Sequence, residues 1–262
     1  MIVSIKKIFL VLTGIIGFTA ISYAQMAELT EPEIGIYEHL DEYVPDDIYF
    51  TKQDSSVVEI SDLIDRPTVF SFVYYNCPGL CSPLLNGLAD VIDKSDLTLG
   101  EDYRMITVSM NEDDQPDLGV KKKANYLKAI KKDIDTEEWI WLTGNKENIE
   151  KLSDALGFKF KREGDDFVHT AAIIVVSPKK KITRYLHGTY FLPFDLKMAV
   201  IEAADEKSRP TINKILKYCF SYDAEGKTYV MNFTKISATI ILLLILLFVF
   251  TVLLKKKPKQ SI

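Results

Sequence analysis

The chain has 262 residues, of which 47% are hydrophobic and 26% are charged, and this composition excludes a fibrous or an intrinsically disordered protein. Every acidic residue lies between positions 25 and 235, where 26 basic and 37 acidic side chains give a net charge of −11. Such a surface repels nucleic acid and anionic lipid, so a nucleic-acid-binding function is excluded and a cationic or neutral partner is expected.

The first 24 residues predict a signal peptide for export. The basic pair Lys6-Lys7 precedes an apolar run at residues 8–21, and residues 22–24 have the small-x-small pattern of a cleavage site. The alternative is that the segment stays on the mature protein as an N-terminal anchor.

The next part of the chain predicts a lead-in followed by alternating strands and helices. Residues 25–48 are polar and acidic and form the lead-in. Apolar, β-branched runs predict strands at 48–50, 57–60, 68–75, 103–109, 139–142, 170–176 and 182–186. Amphipathic patterns predict helices at 84–92, 117–132, 146–156 and 195–204. This alternation predicts an α/β fold whose sheet is joined by right-handed crossovers.

Residues 236–254 predict a C-terminal transmembrane helix. These 19 residues carry no charge, and at about 1.5 Å per residue they span roughly 28 Å, which fits a hydrocarbon core. Four lysines follow within residues 255–262, and such charges stay on the cytoplasmic side. Residues 25–235 are therefore expected to form the periplasmic, extracytoplasmic domain of a single-pass protein of the cell membrane, with 255–262 as a cytoplasmic basic tail.

Cys77 and Cys81 lie between a predicted buried strand and the start of a helix. At this i, i+4 spacing their side chains share one face of a helical turn, about 6 Å apart along its axis. That separation permits a disulfide and equally suits two thiolates that grip one ion. The start of the helix is also expected to lower the thiol pKa. The alternative is a purely stabilising disulfide.

His169 is the candidate third ligand, because it stands immediately before the predicted strand 170–176 and close to the sheet end. The alternative is an ordinary surface histidine. Two thiolates and one imidazole form a soft ligand set that favours Cu(I) and can also hold Cu(II), while zinc would accept the same ligands.

The run Phe72-Val-Tyr-Tyr-Asn-Cys-Pro-Gly-Leu-Cys81, followed by Leu85-Asn-Gly-Leu88, resembles the Sco/SenC family of copper-binding respiratory assembly proteins. Supporting stretches include Trp141-Leu-Thr-Gly144 and Phe167-Val-His169, and the resemblance extends over roughly residues 35–222. Many family members carry an acidic pair, Asp-x-x-x-Asp, in the loop after the second buried strand, and the corresponding loop here is Asn111-Glu-Asp-Asp-Gln-Pro-Asp117, which begins with Asn.

The resemblance implies a thioredoxin-like fold in which Cys77, Cys81 and His169 ligate copper, or in which the two cysteines exchange electrons with a client. The client that it implies is the dinuclear copper centre of cytochrome c oxidase subunit II. The leading hypothesis is therefore a copper metallochaperone for oxidase assembly.

Two other functions stay open at this point. The first is a membrane-anchored thiol–disulfide oxidoreductase that reduces client cysteines with the same Cys77–Cys81 pair. The second is a thiol peroxidase, which would need an arginine near the attacking cysteine, although Arg66 lies more than ten residues from Cys77. Cys219 is interpreted either as an unpaired thiol or as a membrane-proximal thiol that assists redox or metal transfer.

Overall fold

The structure is a computed structural model that describes residues 34–77, 79–209, 220–223, 228–231, 237 and 241–249. Its strands are β1 (Gly35–Ile36), β2 (Tyr49–Lys52), β3 (Val57–Glu59), β4 (Thr68–Val73), β5 (Arg104–Ser109), β6 (Trp139–Thr143), β7 (Phe158–Lys159), β8 (Lys161–Glu163), β9 (Asp166–Val168), β10 (Ala172–Val176), β11 (Ile182–His187), β12 (Phe220–Asp223) and β13 (Thr228–Met231). Its α-helices are α1 (Cys81–Lys94), α2 (Pro116–Leu127), α3 (Lys146–Ala155) and α4 (Pro193–Ala204).

Seven strands form the main sheet, in the order β11-β10-β4-β5-β6-β2-β3. β4 pairs with β5 and β5 with β6 in parallel, whereas the other neighbours are antiparallel. Every residue of β4, β5 and β10 is buried, which confirms the prediction that these apolar runs are central strands. The predicted α/β class is therefore confirmed.

The direction of the strands decides which loops meet. β4 ends at Val73, and β10, which runs antiparallel to it, begins at Ala172 beside the same end of β4. The segment after β4 and the segment before β10 consequently lie at one edge of the sheet. The cysteine motif occupies the first of these segments and His169 the second.

The helix predicted at 117–132 is shorter than expected. α2 ends at Leu127, and Ala129 and Ile130 close tight turns instead of continuing the helix. The amide groups of Lys131 and Lys132 both donate to the carboxylate of Asp93 on α1. This tertiary partner replaces the helical acceptors and ends the helix early.

Residues 25–48 were predicted to be a lead-in before the first strand, and this prediction is wrong at residues 35–36, which form β1. Gly35 and Ile36 pair with Lys159 and Phe158 of β7 in a separate two-stranded sheet. Gly157 adopts a φ of +61°, and a Cβ atom there would lie 1.8 Å from the carbonyl oxygen of Tyr37. A glycine is required at this contact because any side chain would collide with the adjoining backbone.

Two of the predicted segments, the signal peptide at 1–24 and the basic tail at 255–262, lie outside the described residues. The predicted transmembrane helix at 236–254 is described only at 237 and 241–249. Residues 241–249 are helical, and their side chains are exposed. Within the described ranges, the helices all lack the combination of length and apolar character that crossing a membrane requires.

Candidate metal centre

The structure brings together the three residues that the sequence singled out. Cys77 lies in the turn after β4, Cys81 is the first residue of α1, and His169 stands between β9 and β10. One ligand atom from each lies within 4.8 Å of the others. In the part of the chain that the structure describes, this is the one such group of three or more potential metal-binding side chains. Both cysteines are free thiols.

The position of Cys77 differs from the predicted one, because it precedes the helix instead of sharing a helical turn with Cys81. Its Sγ accepts hydrogen bonds from the backbone N–H of Gly79 at 3.4 Å and of Cys81 at 3.3 Å. The sulfur thereby acts as a capping group for the N–H of Cys81, which has no acceptor within the first turn of α1.

These contacts favour the thiolate form of Cys77. The Cys81 thiol and the two backbone N–H groups donate to Cys77, and together they lower its pKa to about 3 although burial opposes the shift. Half-buried and ionised, Cys77 is the nucleophilic sulfur and the better metal ligand of the pair.

Cys81 has the opposite character. Its hydrogen bond to Cys77, its burial and the negative charge on Cys77 all raise its pKa. Only 2% of Cys81 is exposed to solvent. One proton is thus shared unequally between two sulfurs, and an incoming cation has to displace it from Cys81.

His169 presents an unprotonated nitrogen to the cysteines. Its Nδ1 lies 2.9 Å from the carbonyl oxygen of Thr170. A carbonyl oxygen only accepts, so Nδ1 carries a hydrogen, and in the neutral ring Nε2 is the nitrogen that keeps its lone pair. Nε2 lies 3.6 Å from Sγ of Cys81. The ring is 5% exposed and packs between Tyr74 and Phe158, with ring centroids 6.4 Å and 6.1 Å away.

The three donor atoms fit one soft cation. Bonds from a first-row metal to sulfur are about 2.3 Å and to imidazole nitrogen about 2.0–2.1 Å, so small shifts of side chains within 4.8 Å allow a shared ion. Two sulfurs and one nitrogen favour Cu(I) among the biological metals, although zinc also binds such ligands.

Asp114 is a residue of the site region that sequence reasoning missed. Its buried carboxylate accepts hydrogen bonds from the backbone N–H of Tyr75 at 2.7 Å, from Ser109 Oγ at 2.6 Å and from Asn111 Nδ2 at 3.2 Å. The loop after β5 is thereby fixed to the chain two residues before Cys77. The side-chain amide of Asn111 is therefore a hydrogen-bond donor to Asp114.

The hydroxyl of Tyr74, another residue that the sequence did not single out, donates to Asp166 Oδ1 at 3.0 Å. Burial, together with hydrogen bonds to Cys77 and Asp166, raises the pKa of Tyr74, so the phenol stays protonated. The sequence signal for this role is weak, because Tyr74 belongs to an apolar strand pattern and Asp166 to a polar turn.

Other chemically active residues of the sequence lie apart from the group. His187 pairs with Glu38 at 3.2 Å and is not part of the three-residue group. Arg66 precedes the six-residue β4 whereas Cys77 follows it, so roughly 20 Å of strand separates the two side chains. Arg66 therefore cannot serve as the arginine that a peroxidase needs beside its attacking cysteine. Cys219 lies outside the described residues.

Comparisons with known proteins agree with this geometry. A model of the SCO1/SenC family matches residues 41–200. The SCO1 protein homolog of Bacillus subtilis (strain 168) is 27% identical over 151 residues, which are 56% of this chain and 75% of that protein.

Two solved structures share the thioredoxin-like α/β fold. One is a protein of Aquifex aeolicus VF5 assigned to electron transfer, with 27% identity and a TM-score of 0.57 over 63% of this chain and 95% of that one. The other is BsSco, described as a member of the Sco family of cytochrome c oxidase assembly proteins with a disulfide switch. It is 26% identical, with a TM-score of 0.52, over 66% of this chain and 99% of its own.

Proposed function

Because the chain belongs to the SCO1/SenC family, we propose that it carries copper between Cys77, Cys81 and His169 and delivers it for the assembly of a respiratory oxidase. The observation that carries this proposal is the convergence of two free thiols and an unprotonated imidazole nitrogen within 4.8 Å. The client is a dinuclear copper centre such as that of cytochrome c oxidase subunit II. Copper is the cargo of this function and Cu(I) is its carried form.

The ligand set suits transfer as well as binding. Three soft donors leave Cu(I) with fewer than four bonds, so a sulfur of the client can add before a bond to the carrier breaks. The ion then passes by ligand exchange and is never released to water. The half-buried Cys77 gives the client access, whereas Cys81 and His169 hold the ion from inside the protein.

Binding of Cu(I) to reduced full-length protein tests the proposal directly. We expect one copper per chain, measured by metal analysis and by competition with a Cu(I) chelator. Cys77→Ser and Cys81→Ser should abolish tight binding, and His169→Ala should weaken it by about 100-fold, at the upper end of the losses seen when metal-site residues are altered. His187→Ala is the matched control, because His187 pairs with Glu38 away from the group. Binding that survives Cys77→Ser unchanged refutes the proposal.

A second function, reduction of client disulfides, is favoured by the contrast between the two cysteines. The Cys77 thiolate would attack a client disulfide and form a mixed disulfide with one client sulfur. Cys81, once deprotonated, would then attack Cys77 in this mixed disulfide, so that the client leaves as a dithiol and Cys77 and Cys81 form a disulfide. His169 takes no part in these steps. Oxidase activity in cells that carry His169→Ala therefore separates the functions: loss equal to that of Cys81→Ser favours metal transfer, and retention favours reduction.

We also propose that the chain acts at the outer face of the cell membrane, held by residues 236–254. The support for this location is the sequence itself, with 19 uncharged residues followed by four lysines. The full chain should stay with membranes after alkaline carbonate extraction, and a chain ending at residue 235 should be released. A protease added outside should digest the domain of the intact chain. Full extraction of the intact chain by carbonate contradicts this location.

A further inference from the structure

His169 stands in the short segment between β9 and β10. After His169 this segment enters the main sheet, where Gly188 donates to the carbonyl oxygen of Ala171. Before His169 lies the hairpin of β8 and β9, and these two strands pair with each other in a sheet of their own. The position of His169 relative to the cysteines therefore depends in part on how side chains hold this hairpin.

Arg162 on β8 supplies the first of these contacts. Its Nη1 lies 2.9 Å from Glu112 Oε1 and its Nη2 lies 2.9 Å from Asp113 Oδ2. Its guanidinium also lies 5.5 Å from the centre of the Phe167 ring on β9. One side chain thus joins both strands of the hairpin to the loop after β5.

That loop is itself fixed to the cysteine segment. Asp114, next to Asp113, accepts the backbone N–H of Tyr75 at 2.7 Å. A continuous set of polar contacts consequently connects Arg162 with the chain two residues before Cys77. The hairpin and the cysteine segment are therefore both held to the loop after β5.

Tyr74 supplies the second contact. Its hydroxyl donates to Asp166 Oδ1 at 3.0 Å, and its ring packs 5.1 Å from the Phe167 ring and 6.4 Å from the His169 ring. Because Tyr74 is 5% exposed and belongs to the strand-to-motif segment, it is a rigid reference point for the hairpin.

We propose that Arg162 and Tyr74 are positioning residues that hold the β8–β9 hairpin so that His169 faces Cys77 and Cys81 before any ion arrives. The inference rests on the proposed function, since it concerns how the same site binds copper. A histidine held in place in advance loses little conformational freedom on binding, whereas a histidine on a loose hairpin must be ordered by the ion itself. Removing either contact therefore weakens copper binding without removing a ligand.

A double-mutant cycle tests this inference on the full-length, reduced protein with Cu(I) alone as the probe. Arg162→Ala and Tyr74→Phe should each lower the Cu(I) affinity by about tenfold, the lower end of the effect of residues that orient a ligand. The stoichiometry should remain one copper per chain. In a His169→Ala background the same substitutions should change the affinity less than twofold, because nothing is left for them to position.

Two further measurements separate positioning from a general structural role. Lys121→Ala is the matched control, since it removes the exposed Lys121–Asp117 ion pair of 3.1 Å on α2, and it should leave Cu(I) affinity unchanged. The Cu(II)-loaded protein should show weaker nitrogen hyperfine coupling in its paramagnetic resonance spectrum for Arg162→Ala than for wild type. Tyr74→Phe keeps the packed aromatic ring, so it still tests the inference if Arg162→Ala fails to fold.

The outcomes distinguish the two claims. If wild-type protein does not bind copper, the proposed function fails. If wild type binds copper and the losses caused by Arg162→Ala and Tyr74→Phe are equally large in the His169→Ala background, the function stands and the positioning inference is overturned. Unchanged affinity in both single variants overturns it as well.

Discussion

At the scale of single residues, Cys77 and Cys81 have the same side chain but opposite surroundings. Cys77 accepts two backbone hydrogen bonds and is half-buried, whereas Cys81 is fully enclosed and protonated. The contrast arises because the Cys81 thiol donates to Cys77, and because the backbone N–H groups of Gly79 and Cys81 add two more hydrogen bonds to the same sulfur. Reactivity with electrophiles is therefore expected to follow the contrast.

We predict that iodoacetamide modifies Cys77 of the reduced protein selectively, as measured by peptide mass spectrometry. Because its pKa is lowered to about 3, the thiolate persists from pH 8 down to roughly pH 4 and the reaction rate stays flat in that range. An ordinary thiol loses about tenfold of its thiolate for each pH unit below its pKa. Cys81→Ala removes the thiol that donates to Cys77, so the pKa of Cys77 should rise and the pH range of constant rate should shrink at its acidic end. Faster modification of Cys81 than of Cys77 would contradict the assignment.

The sequence predicted the residues of the site better than their chemical states. The spacing of Cys77 and Cys81 indicated a paired site, whereas His169 lies 88 positions beyond Cys81. It was predicted from its place just before a buried strand and from the family resemblance. The protonation of Nδ1 depends on the Thr170 carbonyl, which is a backbone group that no residue pattern reveals. Asp114 was not predicted either, because an acidic loop gives no indication of which carboxylate turns inward.

At the scale of elements, the short strands determine how His169 is surrounded. β1 pairs with β7, and Phe158 of β7 packs against the ring of His169. These strands are two residues long and carry no hydrophobic repeat, so periodicity could not predict them. The long, fully apolar strands β4, β5 and β10 were predicted because burial on both faces leaves a continuous signal.

We predict that Gly157→Ala destabilises the protein by about 2–4 kcal/mol, combining the cost of a positive φ with that of overpacking. The added Cβ would lie 1.8 Å from the Tyr37 carbonyl oxygen and would separate β1 from β7. Urea unfolding followed by the fluorescence of the buried tryptophans measures the change. Gly164→Ala is the matched control, with a φ of +66° but no atom within 4 Å of the added Cβ, and should cost about 1–2 kcal/mol. Equal losses in the two variants would rule out the steric explanation.

At the scale of the whole molecule, the candidate metal centre joins segments that are distant in sequence. The ligands come from the end of β4, the start of α1 and the segment before β10, at one edge of the sheet. Alternating patterns predicted the α/β class, but not the order β11-β10-β4-β5-β6-β2-β3. Strand order depends on which buried faces pack together, and fully apolar strands carry little information about their neighbours.

We predict that Cu(I) stabilises the folded protein as a whole, because the unfolded chain cannot hold its three ligands together. At a free concentration of 100 times the dissociation constant the gain is about 2.7 kcal/mol. For a domain of this size the melting temperature should rise by roughly 5–10 °C. Calorimetry with and without a Cu(I) chelator measures the shift. Cys77→Ser should melt at one temperature under both conditions, and a shift of wild-type size in that variant would contradict the assigned ligands.

Under the proposed function, the unequal exposure of Cys77, Cys81 and His169 has a consequence for the order of events during copper delivery. Cys81 is 2% and His169 5% exposed, and Cys77 alone reaches solvent to a larger extent. A client sulfur can therefore approach a bound ion from one direction only, past Cys77. The first bond of the exchange forms on that side, Cys77 is the first ligand to be replaced, and the two enclosed ligands release the ion last. The ion would then always leave in the same direction, on the side of Cys77 that the protein leaves open to solvent.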